Sequence, residues 1–359
     1  MVSFVPRTSN NLWETSVVMF DRERTLDIRA LKHLRLVNKM FERAASPYLF
    51  QTMYARSREN LTSLAALSRS RCACHVRSLF VCWHDQLDYS KSMEMILPSA
   101  ANQLLGLRKL TIDAPLASGE SFSPRTHLQL TDAVCNTLQQ RQCKELESLA
   151  LKLPSTGCLA RIAKTATILS HENEQSSLSV LMTKLRNLNV TIIPPHVAFG
   201  RYPDRGEDPT KDPTSTQHID GLFQFVDMAP NLEFFSILGQ CQEISLGPLD
   251  IPYHQHLRAI RVCTTTMSAH ELYRLFQQSK HTLTLVRLDF MRLTTGNWEE
   301  LLVNMRSLSN LISFSMCGCQ YHDSDSFQSG AFITRDQIAF CALQSQIAER
   351  KLRSSEGGI

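Results

Sequence analysis

The chain lacks the marks that catalysis leaves in a sequence. Its 359 residues hold no glycine-rich phosphate loop, no nucleophile elbow and no HExxH metal motif. No apolar run approaches the roughly 20 residues a membrane-spanning helix needs, so no membrane is expected. The opening MVSFVPRTSNNLWETSVVMF has no basic stretch followed by an apolar core, so no secretory leader is expected either. Charge of one sign is scarce: a formal net charge of +4 gives little reason to expect nucleic acid. Regular cysteine spacing is missing too. The eleven cysteines are an odd number at irregular intervals, and they read as free thiols in a reducing compartment, the cytoplasm or the nucleus. The pairs Cys72-Ala73-Cys74 and Cys317-Gly318-Cys319 lack the two-residue gap of zinc ligands, so they read as buried or semi-buried thiols beside strands. His254-Gln255-His256 beside Pro252 reads as two surface histidines. The expectation is no catalytic residue, no metal and no cofactor; the chain is not an enzyme.

What the chain has is leucine, 48 in all, and the leucines recur in a pattern. An apolar residue is followed by others at +3 and +5 in eight places. They begin at Val76, Leu107, Leu146, Leu185, Leu232, Leu257, Leu283 and Leu311, at intervals of 31, 39, 39, 47, 25, 26 and 28. The +3 and +5 residues point to one side of a short strand, and a parallel neighbour needs a crossover in each interval. Helical patterns fill several crossovers: His127–Gln142 with Leu128, Leu130, Val134 and Leu138; His218–Met228 with Ile219, Leu222, Phe223 and Val226; and Trp298–Met305. Ser268-Ala269-His270-Glu271 and Thr334-Arg335-Asp336-Gln337 fit capping boxes. The second opens a last helix through Ile338, Leu343 and Ile347, expected to cover the open end of the stack. The stretch from about 194 to 216, rich in proline, glycine and charge, reads as an insertion loop. The last three intervals match leucine-rich repeats of roughly 20–29 residues. The Asn or Cys usual three residues after the third apolar position is met only by Cys319.

Residues between the inward ones face outward. Their middle column reads Phe80, Thr111, Ala150, Asn189, Ser236, Arg261, Arg287 and Ser315. No acid, base and nucleophile line up in it. Arg261 and Arg287 are expected to be neighbours on adjacent strands, with Arg258 near, and to help read an acidic or phosphorylated segment of a target protein.

Ahead of the repeats, Leu31, Leu34, Asn38, Phe41 and Ala45 recur at helical spacing, widened by Val37 and Ala44. Pro47 is expected to end that helix, and Ser46 to cap a second one carrying Leu49, Phe50, Met53 and Tyr54. From Arg22 to Arg77, twelve Arg or Lys stand against four Asp or Glu, which favours an acidic partner for this end.

Leu34-Arg35-Leu36-Val37-Asn38-Lys39-Met40-Phe41 followed by Ala45-Ser46-Pro47-Tyr48-Leu49-Phe50 resembles the second half of an F-box. With the repeats behind it, the chain resembles F-box proteins with leucine-rich repeats, especially the divergent fungal type. The Leu-Pro and the Leu/Ile-rich helix that open an F-box are absent. Asn11-Leu12-Trp13-Glu14, Val17-Val18-Met19-Phe20 and Asp21-Arg22-Glu23-Arg24 stand there instead. The resemblance implies an α/β fold: an irregular leucine-rich-repeat solenoid with parallel strands on one face and helices on the other, over 61–359, behind a partial F-box-like helical segment at 1–60. It implies a non-catalytic substrate receptor of an SCF-type cullin-RING ubiquitin ligase. Leu34, Leu36, Val37, Phe41, Pro47 and Leu49 would then meet a Skp-family adaptor, and the repeats would hold an unknown target protein. The alternative is a leucine-rich-repeat scaffold for protein interaction without ligase docking.

Overall fold

The structure, a computed structural model, describes residues 32–33, 36–83, 87–114, 124–172, 177–192, 222, 224–239, 244–245, 254–321 and 334–356. Its centre is a nine-stranded sheet in order β1-β2-β3-β4-β5-β6-β8-β10-β12, every pair parallel. The strands are β1 Thr52–Ala55, β2 Ser78–Cys82, β3 Lys109–Asp113, β4 Ser148–Leu153, β5 Asn187–Ile192, β6 Phe234–Gly239, β8 Ala259–Cys263, β10 Leu285–Asp289 and β12 Ser313–Cys317. Spatial order follows chain order, so each unit lies beside the next. The class is α/β, with a large all-parallel sheet alternating with helices.

The eight apolar triplets account for this arrangement. All eight first residues, from Val76 to Leu311, are buried, and so are all eight +3 residues. At +5 only Met316 is less than fully buried. Each fully buried Leu, Ile or Val contributes roughly 1.5–3 kcal/mol of transfer free energy, which fixes which side of every strand faces the helices. In the four strands from β2 to β5, each inward residue lies between more accessible neighbours. Parallel strands covered on both faces read as continuous apolar runs; these alternate, so the outward face is the more accessible one over β2–β5, whereas on β6, β8 and β10 the outward Ser236, Cys263 and Asp289 are buried.

A second repeated device sits at the entry to each strand. The carbonyls of Gln51, Arg77, Arg108, Glu147, Arg186, Glu233, Arg258 and Thr284 each accept two backbone N–H groups from the start of the next strand, at 2.8–3.0 Å. The same rim carries ion pairs Arg108–Glu147 at 3.2 Å and Arg186–Glu233 at 3.0 Å. Both are exposed and worth little individually; the register of the rim is carried by the paired backbone bonds.

Helices Leu87–Ala101, Pro124–Leu138, Thr156–Glu172, Ser177–Lys184, Ala269–Gln278 and Trp298–Met305 fill the crossovers. Leu130, Val134 and Leu138 are buried as expected, whereas Leu128 is exposed. Trp298–Met305 has the expected bounds, capped by Asn297, and Ser268 Oγ accepts the Glu271 N–H at 3.1 Å. Leu222, Phe225 and Val226 are buried; Ile219, Phe223 and the insertion loop at 194–216 lie outside the described residues. Helix Thr334–Glu356 closes the far end, burying Ala339, Leu343 and Ile347, with Ile338 exposed.

The N-terminal expectation needs correction. Asn38 does not line a helical stripe: its side chain caps helix Lys39–Leu49 by accepting from the N–H groups of Met40 and Phe41 at 2.9 and 3.0 Å. Pro47 lies inside this helix, two residues from its end, where the bond lost to its missing N–H is among the last the helix makes. The chain then enters the sheet directly. Met53 and Tyr54, expected on a second helix, lie on β1, in register with Leu79 and Phe80.

The last units add a smaller sheet the sequence did not announce: β7 Ile244–Ser245, β9 Thr265–Met267, β11 Arg292–Leu293 and β13 Gln320–Tyr321, all parallel. Among the described residues, a left-handed residue leads from β8, β10 and β12 to this layer: Thr264 at φ 52°, Phe290 at φ 53° and Gly318 at φ 63°. Glycine takes that conformation freely; a β-branched Thr and a bulky Phe are held in it at about 1–3 kcal/mol each.

Ten cysteines among the described residues are free thiols, and His254, expected on the surface, is buried. Cys319 is buried, while Cys317 and Cys74 are exposed. Burial pushes the thiols of Cys135 up to about 11 and those of Cys143 and Cys319 up to about 12. Burial, then the charge of Asp336 beside it, pushes the Tyr321 phenol up to about 12. All four groups are neutral when protonated and hold their protons more tightly folded than unfolded. Stability is therefore intact below about pH 9 and falls as pH rises towards 12. Melting curves from pH 8 to 11 should show that fall, and Cys143→Ala should reduce it. In the native protein an alkylating reagent should label Cys74, Cys317 and Cys341, and reach Cys135, Cys143 and Cys319 only on unfolding.

Candidate functional site

The middle column runs in register across the large sheet as expected, with Ser236 buried within it. Tyr54, Phe80, Thr111, Ala150, Asn189, Ser236, Arg261, Arg287 and Ser315 are consecutive register partners across the nine strands. Its start is aromatic. Tyr54 and Phe80 lie 5.8 Å apart, and the Arg56 guanidinium sits over both rings at 4.8 and 5.0 Å.

Its other end carries charge. Arg261 and Arg287 are direct register partners, and both reach one carboxylate, Asp289. Arg287 Nε donates to Asp289 Oδ2 at 2.6 Å, and Arg261 Nη2 lies 3.5 Å from the same oxygen. The Asp289 side chain is 5% exposed, that of Arg287 14% and that of Arg261 27%. Arg287 is the tight partner of a buried carboxylate, and Arg261 the looser one. The Arg261 Nε is buried and has no hydrogen-bond acceptor among the described residues. The two guanidiniums converge on Asp289 in surroundings drier than bulk water, where a charge-assisted hydrogen bond counts for more.

Asp289 is the residue that sequence reasoning missed. It stands two residues beyond Arg287 on the same strand, hence on the same face; the signal was Arg-Leu-Asp. Cys263 and Cys317 flank it in register. Burial pushes the Cys263 thiol up, away from the thiolate form, so it is not activated as a nucleophile. Phe290 follows Asp289 and is 50% exposed. Arg258 is exposed at the entry to β8.

The residues expected to meet an adaptor divide. Leu36, Val37, Phe41 and Pro47 are exposed, Leu49 is half-buried, and Leu34 lies outside the described residues.

No family model and no curated protein sequence matches the chain. A solved structure it aligns with is a sugar phosphate isomerase/epimerase from Parabacteroides distasonis. It is 8% identical, with 83% of this chain and 95% of that chain covered, at a TM-score of 0.21. A likeness at that level carries no argument. The resemblance to fungal-type F-box proteins with leucine-rich repeats is corrected here, because neither the family nor the repeat is matched. The physical reasons lie in the units. Several exceed the length of such repeats, helices of up to 17 residues fill their crossovers, and the side chains that would ladder each turn are missing except at Cys319. Among the described residues no helix is long and apolar enough to cross a membrane.

Proposed function

We propose that the chain is a non-catalytic binding scaffold: an open array of stacked strand–helix units that presents one sheet face to a protein partner. Arg261 and Arg287 hold an acidic segment of that partner. The observation that carries this reading is the Arg261 Nε–H, buried and without an acceptor among the described residues, on a guanidinium that Asp289 holds only loosely at 3.5 Å. Asp289 keeps both guanidiniums oriented before anything binds, which lowers the cost of ordering them on association. The exposed Arg258 at the strand entry adds charge of the same sign. Nothing in the middle column assembles an acid, a base and a nucleophile.

The test uses labelled 12-residue peptides carrying a central Glu cluster, against the same peptides with Gln, in fluorescence anisotropy. The Glu peptides should bind and weaken as salt rises. Arg261→Gln should cost about tenfold in affinity, equivalent to about 1.4 kcal/mol, with an unchanged melting curve. Equal binding of Glu and Gln peptides, or an unaffected Arg261→Gln, would sink the proposal.

A further inference from the structure

We infer that the outer face of helix Thr334–Glu356 is a self-association surface, and that its partner is a second copy of the chain, set antiparallel about a two-fold axis near Ser345. The inference does not depend on Arg261.

The helix closes the end of the array with one side only. Asp336, Ala339, Leu343 and Ile347 are buried. At 3.6 residues per turn, the direction opposite Leu343 is taken by Ile338, Cys341, Ser345, Ala348 and Leu352, which fall within about 80° of arc. All five are exposed, Ile338 by 65% and Leu352 by 63%. The cations of the helix keep off this stripe. Arg335, Lys351 and Arg353 lie to its sides, and Arg350 turns inward to the carbonyls of Leu308, Leu311 and Arg306. Glu349 stands at the border, paired with Arg353 at 3.9 Å. A unit that ends a repeat array needs a polar outer face to stay soluble. This one carries two large apolar side chains and three small ones along its outermost line, and no charge.

The spacing identifies the occupant. The five residues follow each other at three, four, three and four, the seam of two packed helices. The stripe also reads alike from both ends: a large aliphatic residue stands seven positions before Ser345 and another seven after it, with small residues between. An antiparallel copy therefore sets Ile338 beside the partner's Leu352 on one edge and Cys341 beside the partner's Ala348 on the other. The two Ser345 meet near the axis. This is the self-complementary contact that two-fold symmetry requires. Small residues at the middle let the helices approach closely enough for both large ends, about 21 Å apart, to touch at once. Charge agrees with this order: Lys351 comes beside the partner's Gln337, and Glu349 beside the partner's Ala342, so no like charges are opposed. A contact one helix wide lies at the low end of interface sizes, under about 1,200 Å², and calls for a weak dimer that fills as concentration rises.

Sedimentation velocity on the full chain from about 1 to 100 μM covers the range in which such interfaces fill. It should show a monomer at the low end and a dimer at the high end. Ser345→Glu opposes two carboxylates at the axis and should raise the dissociation constant at least about tenfold, the equivalent of about 1.4 kcal/mol. Residue 345 is exposed, so this variant should melt with wild type at the dilute end. Ile338→Glu and Leu352→Lys should each weaken the dimer, and an equal mixture of the two chains should restore it. The antiparallel order brings the two substitutions together at one end and leaves Ile338 beside Leu352 at the other. Alkylation of Cys341 should slow as the dimer fills. A monomer throughout, a dimer indifferent to Ser345→Glu, or Cys341 labelled as fast in the dimer as in the monomer would overturn the surface. A mixture that forms no dimer would overturn the antiparallel order. A Ser345→Glu chain that melts well below wild type would overturn the free outer face on which the inference stands.

Discussion

Replacing Arg287 by alanine is expected to destabilise the protein by about 3–5 kcal/mol, the cost of stranding one partner of a buried ion pair. Asp289 is 5% exposed, and Arg287 holds it at 2.6 Å from a guanidinium itself 14% exposed. Without that partner, Arg261 at 3.5 Å is the ion-pair partner left to the carboxylate among the described residues, a distance too long for a strong hydrogen bond. Arg261→Ala should cost much less, about 1 kcal/mol or under, since a looser and more exposed pair is worth little. The two arginines look alike in the sequence and sit side by side in register, so the contrast is a sharp one. Equilibrium denaturation in urea measures it, as a shift in midpoint. Replacing the pair together, Arg287→Met with Asp289→Leu, should recover most of the loss, because burying two apolar side chains removes the desolvation penalty along with the bond. Equal losses at Arg261 and Arg287 would show that Asp289 does not discriminate between them. The reading of Arg287 as the positioning residue and Arg261 as the reader would then fall.

The large sheet was legible because its signal is strong and repeated. Apolar residues at +3 and +5 recur eight times, each recurrence is a strand, and the outward column with its register follows from them. The rest was hidden for identifiable reasons. β7, β9, β11 and β13 are two or three residues long, too short for a period of two to show. Two of the three left-handed turns that lead into them carry Thr264 and Phe290, where sequence rules look for glycine. Asn38 sat in a helical stripe by spacing alone, and its short polar side chain did what such side chains do best, which is to cap. Pro47 read as a stop because proline breaks helix interiors, yet two residues from the end there is little helix left to break. The charged site was half-visible. The arginines were found from the column, and their carboxylate was overlooked because the acidic residue lies in the next outward column.

Ending the chain before Thr334 is expected to leave a protein that aggregates, because helix Thr334–Glu356 stands in for the unit that would otherwise follow β12. Inside the array each strand entry is closed by N–H groups of the next unit, as Ile312 and Ser313 close the Thr284 carbonyl. Among the described residues the last unit has no such neighbour, and side chains of the helix supply donors instead. Arg350 reaches the carbonyls of Leu308, Leu311 and Arg306 at 2.7, 3.2 and 2.8 Å, and Gln344 reaches that of Phe314 at 2.8 Å. The apolar side is closed by Leu343 and Ile347, both buried, and by the Phe340 ring 5.9 Å from that of Phe314. At its N-terminal end the helix is pinned by Asp336, fully buried, which accepts from the Tyr321 hydroxyl at 3.0 Å; that hydroxyl accepts from Trp298 N–H. Removing the helix exposes an apolar surface and an unpaired strand edge together, the combination that recruits other chains. Point variants grade the effect. Leu343→Ala should cost about 2–5 kcal/mol as a buried truncation. Arg353→Ala, in an exposed pair with Glu349 at 3.9 Å, should cost almost nothing. Size-exclusion chromatography and dye binding to exposed apolar surface report the outcome. A truncated chain that stays monomeric and binds no dye would show that the stack closes itself, and that the helix belongs to some other contact.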